Sequence, residues 1–165
     1  MPPSSADITA LLRALREHDV EFVVVGGVCA VLHGAPVATF DLDIVPERSE
    51  GNIERLIRAL ADLQAHHRDL AGRSIPPDAG RLRGPGHNLL MTRMGPLVLG
   101  EIGAHRDYEA LVRRSRFVEL GGGLSVRVLD LDALIESKKE AGRGKDLAAL
   151  PVLERTLEES RRRMK

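Results

Sequence analysis

Two aspartates two residues apart, Asp41 and Asp43, stand in the run Thr39-Phe-Asp-Leu-Asp-Ile-Val45. On a strand, residues i and i+2 share a face. Their Cα atoms would lie about 6.6 Å apart at a rise of about 3.3 Å per residue. Carboxylates converging at that spacing can bracket one or two divalent cations, and hard oxygen ligands suit Mg²⁺ or Mn²⁺. Upstream, the β-branched run Val23-Val24-Val25 ends in Gly26-Gly27. Glycine at a strand-to-helix turn lets a ligand approach the backbone, and the free N–H groups of the following helix favour an anion such as phosphate. A phosphate cradle followed by a metal-binding pair is an arrangement suited to metal-assisted phosphoryl or nucleotidyl transfer. Each signal has a plainer alternative: Gly-Gly can be only a turn, and Asp-x-Asp only a solvated face or a cap donor. Order and spacing together are what point to chemistry.

These residues need a strand over Glu21–Val25, a short helix over Val28–Leu32 ending at Gly34, a turn at Pro36 and a second strand through Asp43 to Val45. That unit predicts Asp41 and Asp43 side by side on one strand, facing a cleft walled by the Gly26-Gly27 turn. Before it, Ser4 or Ser5 can cap a helix running to about Asp19, with Ile8, Leu11, Leu12 and Leu15 as its buried stripe; residues 1–3 read as a frayed tail. After it, Ser49 caps a helix with Ile53, Leu56, Ile57 and Leu60 on one face. His66-His67 is a poor metal site, because adjacent helical residues do not face each other, and reads as a solvated helix end.

Gly72 to His87, rich in Gly, Pro and Arg, reads as a mobile loop: a solvated one, or a basic flap over a phosphate-rich substrate. Hairpins are expected over Asn88–Met94 with Leu97–Ile102, and over Arg116–Leu120 with Leu124–Leu129, with a helix from Asp107 to Arg114 between them. A helix carrying Lys138 is capped by Asp130 or Asp132 and ends at Gly142. A last helix follows from Lys145, kinking or starting at Pro151. Five or six strands in two hairpins beside one strand–helix–strand unit give an α/β (α+β) fold: a mixed sheet flanked by helices.

Gly26-Gly27 with Thr39-x-Asp41-x-Asp43 resembles the core motif of the DNA polymerase β-type nucleotidyltransferases. It is most similar to the small prokaryotic branch that includes toxin–antitoxin and abortive-infection proteins. Thr92-Arg-Met-Gly-Pro-Leu97, Gly100-Glu-Ile102, Asp107-Tyr-Glu109 and the run from Lys138 to Asp146 extend the likeness over most of the chain. The resemblance implies one nucleotidyltransferase-like domain over residues 1–165. It makes Asp41 and Asp43 the catalytic and metal-binding pair for Mg²⁺ or Mn²⁺, and Gly26, Gly27, Thr39, Lys138 and Arg143 the nucleotide-binding residues. Lys138 would approach the triphosphate; its plainer role is a surface lysine. Arg143 and Lys145 would add positive charge there, their plainer role being solvated surface, with Asp146 as a cap or ion-pair partner. The implied partners are an NTP, an RNA or protein acceptor, and a cognate toxin or antitoxin protein. The implied activity is transfer of a nucleoside monophosphate; the alternative is a degenerate domain that binds nucleotide or a partner and transfers nothing.

Two departures from the pattern bear on that choice. The segment Gly95-Pro-Leu-Val-Leu-Gly-Glu-Ile102 reads one residue short, and the residue absent is a third Asp. If Val98 takes its place, the nearest substitute, Glu101, falls on the opposite sheet face. Val37 stands where the pattern has Arg.

Composition excludes other modes of action. Lys plus Arg and Asp plus Glu both total 24 in 165 residues, so no net charge drives nucleic-acid or membrane binding. With no Trp, one Tyr and three Phe, base stacking on aromatics is not expected. A single Cys29 in an apolar segment fits packing in a reducing compartment. With neither a signal-peptide pattern nor an apolar run of spanning length, a cytoplasmic location is expected.

Overall fold

The computed structural model describes residues 3–69 and 71–164; the expectations for Met1, Pro2 and Lys165 lie outside them. The central pair is β1 (Phe22–Val25) and β2 (Leu42–Pro46), antiparallel and joined by α2 (Gly26–Leu32). All four β1 side chains are buried, as expected of a strand covered on both faces. On one side β2 pairs in parallel with β5 (Gly95–Leu99), which forms a hairpin with β4 (Asn88–Thr92); β3 (His66–His67) closes that edge. On the other, β1 pairs in parallel with β7 (Ser125–Leu129), the hairpin partner of β6 (Ser115–Glu119). The order is β3-β4-β5-β2-β1-β7-β6, a mixed seven-stranded sheet.

The helices bury the stripes their spacing predicts: Leu11, Leu12 and Leu15 on α1 (Ile8–Glu17), and Ile53, Leu56 and Leu60 on α3 (Glu50–Asp62). Two short elements, α4 (Ala79–Arg83) and α5 (Tyr108–Leu111) with a 3₁₀ turn to Arg114, precede α6 (Leu131–Ala141) and α7 (Gly144–Arg163). Asn52, fully buried, ties the start of β1 to the end of β2: its amide donates to the carbonyls of Glu21 (2.9 Å) and Glu47 (2.6 Å), and its oxygen accepts from Glu21 N–H (2.8 Å). No helix among the described residues is long and apolar enough to cross a membrane.

Several local expectations are corrected. Asp7, not Ser4 or Ser5, caps α1, because Ala6 and Asp7 N–H are already spent on the carbonyls of Phe40 and Met94, both at 2.8 Å. The helix stops at Glu17, ahead of Asp19 at φ 57°. His66-His67 is an edge strand rather than a helix end, since Gln64 at φ 53° breaks the helical path and the pair joins β4. The Gly72–His87 stretch is not all loop: Asp78 caps α4 by accepting from Arg81 N–H at 2.9 Å, and Leu82 is buried. Helix α7 begins at Gly144 and runs through Pro151, whose missing N–H leaves the Leu147 carbonyl free on an exposed face.

Candidate functional site

Register places Asp43. It pairs with Val25, the last residue of β1, and on its other side with Val98 of β5. The chain leaves Val25 into Gly26 at φ +66°, and the turn is tight: a Cβ on Gly26 would lie 2.1 Å from Asp43 Oδ2. A Cβ on Gly27 would lie 2.6 Å from Thr39 Oγ1. The Cβ direction of each glycine is occupied by one of these side chains, while the backbone of both still borders the cavity. Thr39 donates to the Asp41 carbonyl at 3.1 Å and braces the entry to β2; it stands behind the cavity wall rather than in it.

Asp41 lies one residue ahead of β2, and both aspartates are half-buried. Both carboxylates and both glycines line one open cavity of about 830 Å³. Burial lifts the Asp43 carboxyl to about 6, the Asp41 charge adds to the rise, and Lys138, Lys145 and Arg68 pull it back only in part. Asp43 therefore holds its proton more tightly than an ordinary carboxylate, chiefly because it is withdrawn from water.

Lys138, Arg143 and Lys145 line the same cavity. Helix α6 buries Leu134, Ile135 and Ser137 and so turns Lys138 to the cavity edge, while the break at Gly142 brings Arg143 and Lys145 alongside. Asp146, almost wholly buried at the start of α7, collects two of these cations: Lys138 Nζ lies 3.5 Å from Oδ1, and Arg143 Nε donates to Oδ2 at 2.7 Å. Burial alone would raise this carboxyl, but the Arg143 hydrogen bond and the Arg143 and Lys138 charges outweigh it, leaving Asp146 below the usual carboxylate range. Asp146 is the ion-pair partner of the run rather than a cap.

The β5 ladder has no gap. Val98 pairs with Asp43 on one side and Leu89 on the other, and the β4–β5 register runs unbroken from Asn88↔Leu99 to Thr92↔Gly95. In that unbroken register the isopropyl group of Val98, not a carboxylate, occupies the place beside Asp43. Glu101 does not fall on the opposite face. The strand ends at Leu99, Gly100 takes φ 153°, and alternation no longer applies, so Glu101 reaches the cavity margin. There its carboxylate is held by Arg48 at 3.3 Å, with His105 Nδ1 3.6 Å away. Among the described residues no third His, Cys, Asp or Glu joins a pair to form a metal-ligating group.

Sequence reasoning missed Arg68, His87 and Leu89, which also line the cavity. Arg68 comes from the β3 edge, whose strand character two histidines did not reveal, and only tertiary pairing brings it near Asp41. Cys29 is structural, as expected, and so is His33. His33 Nε2 donates to the Leu129 carbonyl at 2.7 Å, the Cys29 thiol to the same oxygen at 3.2 Å, and burial pushes that thiol up to about 12. A second depression between α6 and α7 holds Glu154 and Glu158, each paired with a cation: Lys139 lies 3.2 Å from Glu154 and Arg162 2.6 Å from Glu158.

No protein-family model and no curated protein matches the chain. Among solved structures, a Thermotoga maritima protein described as a "putative nucleotidyltransferase" aligns with a TM-score of 0.56 at 20% identity, covering 87% of this chain and 88% of that one. A likeness at that identity speaks to architecture: the mixed sheet with its flanking helices is a nucleotidyltransferase-like fold.

Proposed function

We propose that this chain is a metal-dependent nucleotidyltransferase that moves a nucleoside monophosphate from an NTP to a hydroxyl group of an RNA or protein acceptor. The observation that carries the reading is a single cavity lined by Asp41 and Asp43 together with Lys138, Arg143 and Lys145. Two hard carboxylates on one cavity wall fit one Mg²⁺ or Mn²⁺, and Asp41 and Asp43 would hold it. When bound, such an ion supplies positive charge that draws the nucleotide phosphates to the pair. Lys138, steadied by Asp146, offers a fixed charge to the triphosphate, and Arg143 and Lys145 extend that lobe. Gly26 and Gly27 let Asp43 and Thr39 close against the turn, so they set the pair's position. In the transfer, the acceptor oxygen bonds to the α-phosphorus, the bond to pyrophosphate breaks, and the hydroxyl proton leaves to water. The sequence likeness extends the proposal to a cytoplasmic role within a toxin–antitoxin pair, with the cognate protein as partner.

Val98 favours a second reading: a domain that binds nucleotide and transfers nothing. Incubation with each α-labelled NTP, Mg²⁺ or Mn²⁺ and cell extract tests both. Label in RNA or in protein supports transfer and names the acceptor. Nucleotide binding with no label under any condition supports the second reading, and no nucleotide binding at all refutes both.

A further inference from the structure

Register lays out a row of side chains across the sheet from the acidic pair toward its β3 edge. Asp43 pairs with Val98, Val98 pairs with Leu89, and the backbone N–H of Arg68 donates to the Leu89 carbonyl at 2.9 Å. Residues in register on adjacent strands present their side chains to one face, and all four residues line the cavity. Past Asp43 the row offers no anionic oxygen. It offers two aliphatic groups and then a cation, and that cation turns back. Arg68 Nε donates to the Leu90 carbonyl at 3.1 Å, which pins the guanidinium, and a terminal nitrogen lies 3.5 Å from Asp41 Oδ2. Lys138 and Lys145 approach from α6 and α7; Arg68 is the positive group contributed from the sheet edge.

We propose that Arg68 stands in for a second divalent cation, so that the site takes one metal ion per chain with a guanidinium as its fixed partner on the Val98 side. The inference rests on the metal-binding half of the proposed function and goes beyond it. A second divalent ion needs anionic oxygens of its own, which Val98 and Leu89 do not supply. It would also have to settle against a positive charge already in contact with Asp41. A guanidinium needs no such ligands: it is charged at any working pH and presents a planar fork of donors matched to phosphate and carboxylate oxygens. It can hold Asp41 in place and stabilise negative charge on a nearby phosphate, as arginines do in other phosphoryl transfers. It does not lower the pKa of an attacking hydroxyl as a bound metal does. Arg68 is therefore a positioning residue toward the pair.

Manganese counting by electron paramagnetic resonance on the full chain, with and without α,β-methylene-ATP, tests this. The unaltered protein is expected to take one Mn²⁺ per chain with the nucleotide analogue present, and a Val98→Asp/Arg68→Gln variant two. Without nucleotide, Arg68→Gln should bind Mn²⁺ about threefold more tightly, since an exposed ion pair worth up to about 1 kcal/mol no longer competes for Asp41. Arg68→Lys should restore the original affinity. Two tightly held Mn²⁺ ions in the unaltered protein, or an Arg68→Gln variant that binds no more tightly, overturns the proposal. If the double variant does not fold, the two single variants decide. One Mn²⁺ per chain without label transfer would refute transfer and leave this inference standing, whereas no uptake by any variant overturns both.

Discussion

Replacing Asp43 by asparagine is expected to make the metal-free protein more stable, because the fold holds that carboxylate at a cost. Its pKa rises from 3.8 to about 6, first through burial and then through the Asp41 charge. Two units correspond to about 3 kcal/mol at about 1.4 kcal/mol per unit. Because Asp43 is only partly buried, screening reduces that to about 1–2 kcal/mol. The sign follows from linkage. The folded pKa lies above the unfolded one, so the native state binds this proton more tightly. Asp43 therefore contributes stability that is present below about pH 4, falls away between about pH 4 and 6, and is absent at higher pH. An asparagine of nearly the same shape does not titrate. Asp43→Asn should thus melt about 2–8 °C higher than the parent at pH 8, using about 2–4 °C per kcal/mol for a chain of this size, with the gap narrowing toward pH 4.5. Thermal melts of both proteins across that range, without divalent ions, measure it. Millimolar Mg²⁺ should then raise the melting temperature of the parent and not of the variant, since an ion bound only by the native state stabilises it by mass action. A variant that melts lower than the parent at pH 8, or a gap independent of pH, would show that the charge on Asp43 is not what the fold strains against.

Three further outcomes follow from the same geometry. Gly26→Ala puts a Cβ 2.1 Å from Asp43 Oδ2 at φ +66°; it should cost about 1–3 kcal/mol and displace the carboxylate, read as a lower denaturation midpoint and lost Mn²⁺ binding. Asp146→Asn strips the shared partner from Lys138 and Arg143; because both cations reach solvent, it should cost about 1–2 kcal/mol near neutral pH. Because the folded Asp146 pKa is depressed, its contribution is present above about pH 4 and is lost as pH falls through the folded value, so urea melts of the two proteins should converge in acid. In calorimetric titrations with Mg²⁺ and nucleotide, Asp41→Ala and Asp43→Ala should each lose most of what the double variant loses, as expected of two ligands to one ion; full additivity would argue that they act separately.

Much of this protein was legible along the chain because it depends on neighbours in sequence. The stripes of α1 and α3, the hairpins, the Ser49 cap and the strand–turn–helix–strand unit around Gly26-Gly27 follow from periodicity and turn chemistry, and so does the mixed sheet. Asp41 and Asp43 could be singled out from their spacing alone, and Lys138 from its motif. What the chain order could not reveal is what sits beside the pair. That Val98 stands next to Asp43, that Arg68 reaches Asp41 from a two-residue edge strand, and that Glu101 is taken by Arg48 are facts of parallel β2–β5 pairing and of strand ends. That the missing Cβ atoms of Gly26 and Gly27 also make way for Asp43 and Thr39 is likewise a fact of the folded turn. Local rules determined which groups could do chemistry. Register across strands distant in sequence decided which charges and which aliphatic groups meet beside the pair.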